Sequence, residues 1–282
     1  MRGDLVHAFL RNRGAVAGLA VVCLIVLLAL SAGVLFPGDP WNMVDAPFRP
    51  PFSGSAFLGT DTLGRDIAAC LAYGARVSLL VGLTATVVAV AVGVLLGAVA
   101  GYYGGRVDSA LMHFTELFQT IPNFVLVVVT VAIFTPSLSS IVGAIALVSW
   151  PPLARLVRGE FLSLRSREFV QAAVTSGQSN ATIILTQILP NTLSPIIVSA
   201  SLMVATSILL ESSLSFLGLG DPNAMSWGFM VGSARTVLRQ AWWMSFFPGV
   251  AILVTVLGLN LIGEGLNDAF NPRLRRKGRA KA

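Results

Sequence analysis

A chain of 282 residues that is 55% hydrophobic and only 11% charged, with a net charge of +6, lies far from the roughly 25% charged composition of soluble domains and reads as a polytopic membrane protein. Its only lysines, Lys277 and Lys281, come late in the chain, and no Gly-x-x-x-x-Gly-Lys-Ser/Thr sequence occurs, so the chain has no phosphate-cradling loop and does not hydrolyse ATP alone. Two histidines, His7 and His113, and two distant cysteines, Cys23 and Cys70, give no zinc spacing, and neither Gly-x-Ser-x-Gly nor His-Glu-x-x-His is present, which excludes the common hydrolase sites.

The first predicted element is an uncharged apolar run over 14–36, behind a basic start at Arg2, Arg11 and Arg13. A helix needs roughly 20 apolar residues to cross a hydrocarbon core about 30 Å thick. At 23 residues the run exceeds the apolar core of a signal peptide, so it reads as an uncleaved transmembrane helix with Cys23 packed inside it. With the segment after it, this helix forms an N-terminal unit, 1–75. A core of five further helices is expected over 76–266. Its spans fall at 78–102, 112–134, 139–156, 193–210 and 246–266, the third of these interrupted by Pro151-Pro152. Residues 267–282 form a basic tail, a solvated stretch that meets anionic lipid headgroups and does not read as a nucleic-acid site.

Six spans put both termini on one side. Fourteen of the 19 positive residues then share that side, and five (Arg49, Arg65, Arg76, Arg235 and Arg239) lie on the other. The positive-inside rule makes both termini cytoplasmic. It also makes the loop 165–190 cytoplasmic.

That loop is the one polar, small-residue stretch between strongly apolar spans. The stretch from Arg167 to Ser176, which includes Glu168 and Gln171, can form a short helix with Phe169, Ala172 and Ala173 on one side. Gly177 permits a sharp exit. Ile183, Ile184, Leu185, Ile188 and Leu189 begin a second helical face, with Pro190 suited to the first turn of a new helix. This spacing, closed by Leu189-Pro190-Asn191, resembles the EAA loop of ABC importer permeases.

Two further blocks carry the resemblance. One runs Phe57-Leu-Gly-Thr-Asp-Thr-Leu-Gly-Arg-Asp66 and on to Tyr73-Gly-Ala-Arg-Val-Ser-Leu-Leu80; the other is Glu211-Ser-Ser-Leu-Ser-Phe-Leu-Gly-Leu-Gly220 with Ser226-Trp-Gly228. Both are similar to the "C" permeases of the peptide/nickel importer family, and the likeness covers nearly the whole chain. It implies an all-α bacterial inner-membrane protein with a type I importer fold of six transmembrane helices. Glu168, Phe169, Gln171, Ala172, Ala173, Gly177, Leu189 and Pro190 would form its cytoplasmic coupling element. It implies a second, homologous permease, two ATP-binding subunits or domains that hold the ATP and magnesium, and an extracytoplasmic solute-binding protein. No cofactor is expected in this chain. Di- and oligopeptides are the leading cargo, with nickel or metal chelates, glutathione and opine-like solutes as alternatives; an ion-coupled secondary transporter is disfavoured by the scarcity of mid-span charges. Departures from the family pattern are Gln171 in place of Glu, Gln187 in place of a frequent His, and Ser176-Gly-Gln-Ser-Asn180.

Among polar residues near the spans, His113 and Glu116 are one turn apart and could pair, and Glu264 and Asp268 sit near the end of the last span. Glu211, Ser212, Ser213 and Ser215 are candidates for the outer gate or translocation path, because a polar run at such depth must be buried in protein or line a cavity. Trp227, Trp242 and Trp243 fit an interfacial aromatic belt.

Overall fold

The computed structural model describes residues 2–270, and the basic tail expected over 267–282 lies mostly outside them. Helix α1 (Arg2–Arg11) is followed by α2 (Arg13–Leu35). Asn12 caps α2 by accepting from the Ala15 N–H at 3.1 Å. Residues 37–66 form turns held by isolated β-bridges, and Asp66 then caps the long α3 (Ile67–Tyr103). After the Gly104–Gly105 turn come α4 (Gly105–Gln119), α5 (Asn123–Phe134) and α6 (Leu138–Arg165). The short α7 (Glu168–Thr175) precedes α8 (Asn180–Thr182), which runs through a π-helical turn, Ile183–Ile188, into α9 (Leu189–Phe216). Helix α10 (Trp227–Ala234) and α11 (Trp243–Phe270) complete the described chain.

Five helical stretches are long and apolar enough to cross a membrane, and α4 with α5 makes a sixth if that bent pair counts as one span. The span expected at 112–134 is bent: α4 and α5 meet at 80°. The cause is Pro122, which has no N–H and steers Ile121 away from helical geometry; α4 ends on the Thr120 N–H to Glu116 carbonyl bond at 3.1 Å.

The opposite correction applies to Pro151-Pro152. Helix α6 runs unbroken through both. Neighbouring helices can sustain prolines in a membrane helix, and α6 makes the most extensive contact of the fold, along α3. That contact is made at close range by α3 glycines. A methyl group on Gly93 would lie 3.0 Å from the Trp150 carbonyl, and one on Gly101 would lie 2.5 Å from Phe161 Cβ. In lipid, such close packing of small residues replaces the hydrophobic drive of water. Helix α11 crosses α2 in the same way: a methyl on Gly18 would lie 2.6 Å from the Gly258 carbonyl.

Two more expectations change. Cys23 is exposed on α2 instead of packed. Trp227 and Trp243 are buried, their indole N–H groups donating to the carbonyls of Leu71 at 2.9 Å and Thr60 at 3.1 Å; only Trp242, 53% exposed, fits an aromatic belt.

Contacts at the helix ends show which loops share a side. At one end Asn12 donates to Asp268 at 3.1 Å, Arg158 pairs with Asp108, and Arg165 donates to the Tyr102 carbonyl at 3.3 Å. Helix α7 follows α6 at this end. At the other end Trp243 meets Thr60, and the Leu138 N–H donates to Asp221 at 3.0 Å.

Candidate functional site

Two residues separate the end of α6 from the start of α7, and Glu168 places an acid in the first turn of α7, where the helix dipole favours negative charge. Val170 and Ala173 are buried against Val157, Phe161, Ile183 and Ile188. Glu168, Phe169, Gln171, Ala172 and Val174 are exposed. The expected grouping of Phe169, Ala172 and Ala173 on one face is thus split. Ala173 belongs to the buried seam with Val170, whereas Phe169, 42% exposed, and Ala172 belong to the outer face.

The exit from α7 is a two-bond Schellman turn. The Gly177 N–H donates to Val174 at 3.0 Å and the Gln178 N–H to Ala173 at 3.2 Å, with Gly177 at φ +76°. Open space surrounds the position a Gly177 side chain would take, so backbone conformation is what selects glycine. Ser179 then caps α8, and the Tyr102 hydroxyl donates to Asn180 at 2.9 Å, tying the turn to the end of α3.

Gln171 has a local task. Its amide N–H donates to the Arg165 carbonyl at 3.0 Å, one of the acceptors left open where α6 ends. An ionised glutamate there would turn an oxygen toward that carbonyl with no proton to share. The second part of the loop differs from a fresh start at Pro190. The helix is already running, and the π turn closes with the Leu189 N–H donating five residues back to Ile184. Leu189 is half-buried and Pro190 exposed. The side-chain amide of Asn191 donates to the Gln187 carbonyl at 2.6 Å.

At the opposite end, the remaining sequence blocks converge. Glu211 lies inside α9 and is 2% exposed. Its carboxyl oxygens accept from Ser215 at 2.8 Å and Ser226 at 2.7 Å, with the Ser212 hydroxyl at 3.5 Å. Ser226 also caps α10, accepting from the Phe229 N–H at 3.0 Å. A methyl on Gly228 would fall 2.7 Å from Ser212 Cα, so α10 sits directly on α9. Ser78 of α3 accepts from the Trp227 N–H at 3.1 Å, and Gly74 gives the Trp227 ring room. Glu211 and Ser215 are therefore enclosed where α9 meets α10, Ser212 is half-buried, and Ser213 is exposed with its hydroxyl donating to Leu209 at 2.8 Å.

The turns over 37–66 cover this end. Asp61 accepts from the N–H groups of Leu63 and Arg65 and pairs with the Arg65 guanidinium at 2.5 Å, while that guanidinium lies 5.0 Å from the Trp41 ring. Sequence reasoning quoted Ser78 and Ser226 within its blocks without giving them a role, and it missed the Asp108–Arg158 pair. The last pair joins residues 50 positions apart, which no local pattern reveals. Conversely, His113 and Glu116 are both exposed on α4, and no ion pair joins them. Among the described residues no cluster of His, Cys, Asp and Glu could hold a metal ion.

The family model for a binding-protein-dependent transport system inner membrane component matches residues 93–276, and that for the N-terminal TM domain of oligopeptide transport permease C matches residues 2–51. The oligopeptide transport system permease protein OppC of Haemophilus influenzae is 39% identical over 277 residues, spanning 96% of this chain and 88% of its own. The di/tripeptide transport system permease protein DppC of Pseudomonas aeruginosa is 40% identical, spanning 95% and 91%. Among solved structures, an inward-facing MetNI methionine ABC transporter aligns at a TM-score of 0.59 with 15% identity, covering 74% of this chain and 95% of that one. An amino acid ABC transporter aligns at 0.53 with 14% identity, covering 69% and 91%. Both structural likenesses speak to the fold.

Proposed function

The chain belongs to the family of binding-protein-dependent transport system inner membrane components, and from that premise we propose that it is one of the two permease subunits of an ATP-driven importer of di- and oligopeptides. The observation that carries the cargo class is full-length similarity at 39–40% identity to permeases named for oligopeptide and di/tripeptide transport. With no nucleotide-binding sequence of its own, the chain depends on partner ATPases. A second permease completes the path, and a solute-binding protein delivers cargo at the end that carries residues 37–66. The basic bias of the sequence supports an orientation with α7 and both termini on the cytoplasmic side of a bacterial inner membrane.

In this reading the outer face of α7 meets the ATPase. Phe169 and Ala172 offer a small apolar surface with Glu168 and Gln171 beside it. The buried seam of Val170 and Ala173 ties that surface to α6 and the π turn, so movement of α7 is passed to α6 and α9. Glu211 and its serines hold α10 on α9 at the outer end, and the exposed Ser213 is the member of the set that can face the path.

The cargo is tested by uptake. Cells lacking this chain should lose accumulation of a radiolabelled dipeptide and regain it with the wild-type chain. Normal dipeptide uptake in the deletion, with loss of nickel or glutathione uptake instead, would reassign the cargo and leave the ATP-driven import intact.

A further inference from the structure

The block Tyr73-Gly-Ala-Arg-Val-Ser78 contains one residue that the functions above leave unused. Arg76 is exposed on α3, where α3 passes α2. Its Nε donates to the Ala29 carbonyl at 2.5 Å and Nη2 to the Leu30 carbonyl at 3.1 Å. The guanidinium also lies 5.0 Å from the Tyr73 ring, and the Tyr73 hydroxyl is anchored on the Phe36 and Gly38 carbonyls at 3.2 and 3.0 Å. Among the described residues no carboxylate is within ion-pair distance of Arg76. Carbonyl dipoles and a ring face hold the cation in place without neutralising it. Two of its five N–H groups are used, which leaves three.

The surroundings identify what completes the site. Leu30, whose carbonyl Arg76 binds, Val34 one turn further along α2, and Leu80 one turn from Arg76 along α3 are 71%, 83% and 54% exposed, a surface suited to acyl chains. Ala29 is six residues before the end of α2 at Leu35, which sets it about 9 Å along the helix from that end. For a spanning helix that ends at the outer edge of the headgroup layer, that depth is the boundary between acyl chains and headgroups. A cation there is costly unless it draws an anion or water to itself, and a guanidinium fork matches phosphate oxygens. The exposed Gly33 leaves the approach to Nη2 open: a methyl there would lie 3.7 Å from that atom.

We propose that Arg76, held by Tyr73 and the α2 carbonyls, binds the phosphodiester of a membrane phospholipid, whose acyl chains lie along Leu30, Val34 and Leu80. The lipid would join α2 to α3 at the end of the molecule that carries residues 37–66.

The test uses the purified transporter with all its subunits. Native mass spectrometry is recorded during titration with dioleoylphosphatidylglycerol and, separately, with dioleoylglycerol, which has no phosphate. Losing charge-assisted hydrogen bonds should weaken one phosphatidylglycerol site about tenfold in Arg76→Gln, with Arg76→Lys in between. Dioleoylglycerol binding should not distinguish the variants, and added inorganic phosphate should not displace the lipid. Identical phosphatidylglycerol titrations for wild type and Arg76→Gln would overturn the proposal, as would displacement by inorganic phosphate. A second measurement leaves Arg76 intact. A nitroxide on Leu80→Cys, in a Cys23→Ser background, should collide freely with oxygen and rarely with a water-soluble nickel chelate in nanodiscs. A label shielded from both would mean that a protein partner covers this face, and the lipid assignment would fail.

Discussion

Gly177 is selected by its backbone, not by crowding, and that makes its substitutions informative. Any side chain fits the space, but φ +76° penalises all residues except glycine and, less severely, asparagine. Gly177→Ala should therefore weaken the α7 exit by about 1 kcal/mol, with Gly177→Asn nearer to wild type. Hydrogen exchange at the amides of Gly177 and Gln178 reads this directly; equal protection in wild type and Gly177→Ala would refute it. Asp45, in the turns over 37–66, is held by hydrogen bonds and charge. The Ala46 N–H, the Ser55 hydroxyl and N–H, and Arg49 hold its carboxyl below the usual carboxylate range. A lowered folded-state value means that its stabilisation is complete above the unfolded value of about 3.9 and is lost as pH falls through the lower folded value. Protease nicking of residues 45–55 should rise below about pH 4 in wild type. Asp45→Asn should be nicked already at neutral pH. A variant as resistant as wild type at neutral pH would remove Asp45 from that role.

At the scale of elements, the α3–α6 contact is the rigid unit from which α7 extends. A methyl on Gly97 would crowd the Ala154 carbonyl and lie 2.8 Å from Val157 Cβ. Gly97→Val should cost about 1–3 kcal/mol through overpacking. Thermal unfolding of the detergent-solubilised complex should show the loss, whereas Gly143→Val, at a site with open space, should leave it unchanged. Equal melting of the two variants would mean that the close approach carries no stability. Helix existence was legible from apolar run length, and the α7 boundaries from Glu168, Ala172 and Gly177. Proline effects were not, because they depend on neighbours. Pro122 breaks a helix that leaves the α3–α6 contact, while Pro151-Pro152 sit inside that contact and the helix continues. The face of α7 was misassigned at Ala173 because a one-residue rotation is invisible in an eight-residue helix. The serines around Glu211 were legible as a polar run, but their partner Ser226 lies 15 residues away across a turn and only the fold brings it in.

For the whole molecule, two ends have different work. The end carrying residues 37–66 is tied down by buried polar contacts: Asp61 with Arg65, Thr60 with Trp243, Glu211 with Ser226 and Ser78 with Trp227. The other end presents α7, with only Val170 and Ala173 buried and its remaining residues exposed. A firm end at residues 37–66 and an exposed α7 at the other suit the proposed role of a subunit driven by a partner. The most direct measurement places the complete transporter in liposomes with its binding protein and follows ATP hydrolysis and dipeptide uptake together in wild type and Ala172→Arg. A charge on the outer face of α7 should abolish uptake and leave the subunits co-purifying and the residual ATP hydrolysis unresponsive to peptide-loaded binding protein. Wild-type uptake per ATP hydrolysed in Ala172→Arg would contradict α7 as the coupling element.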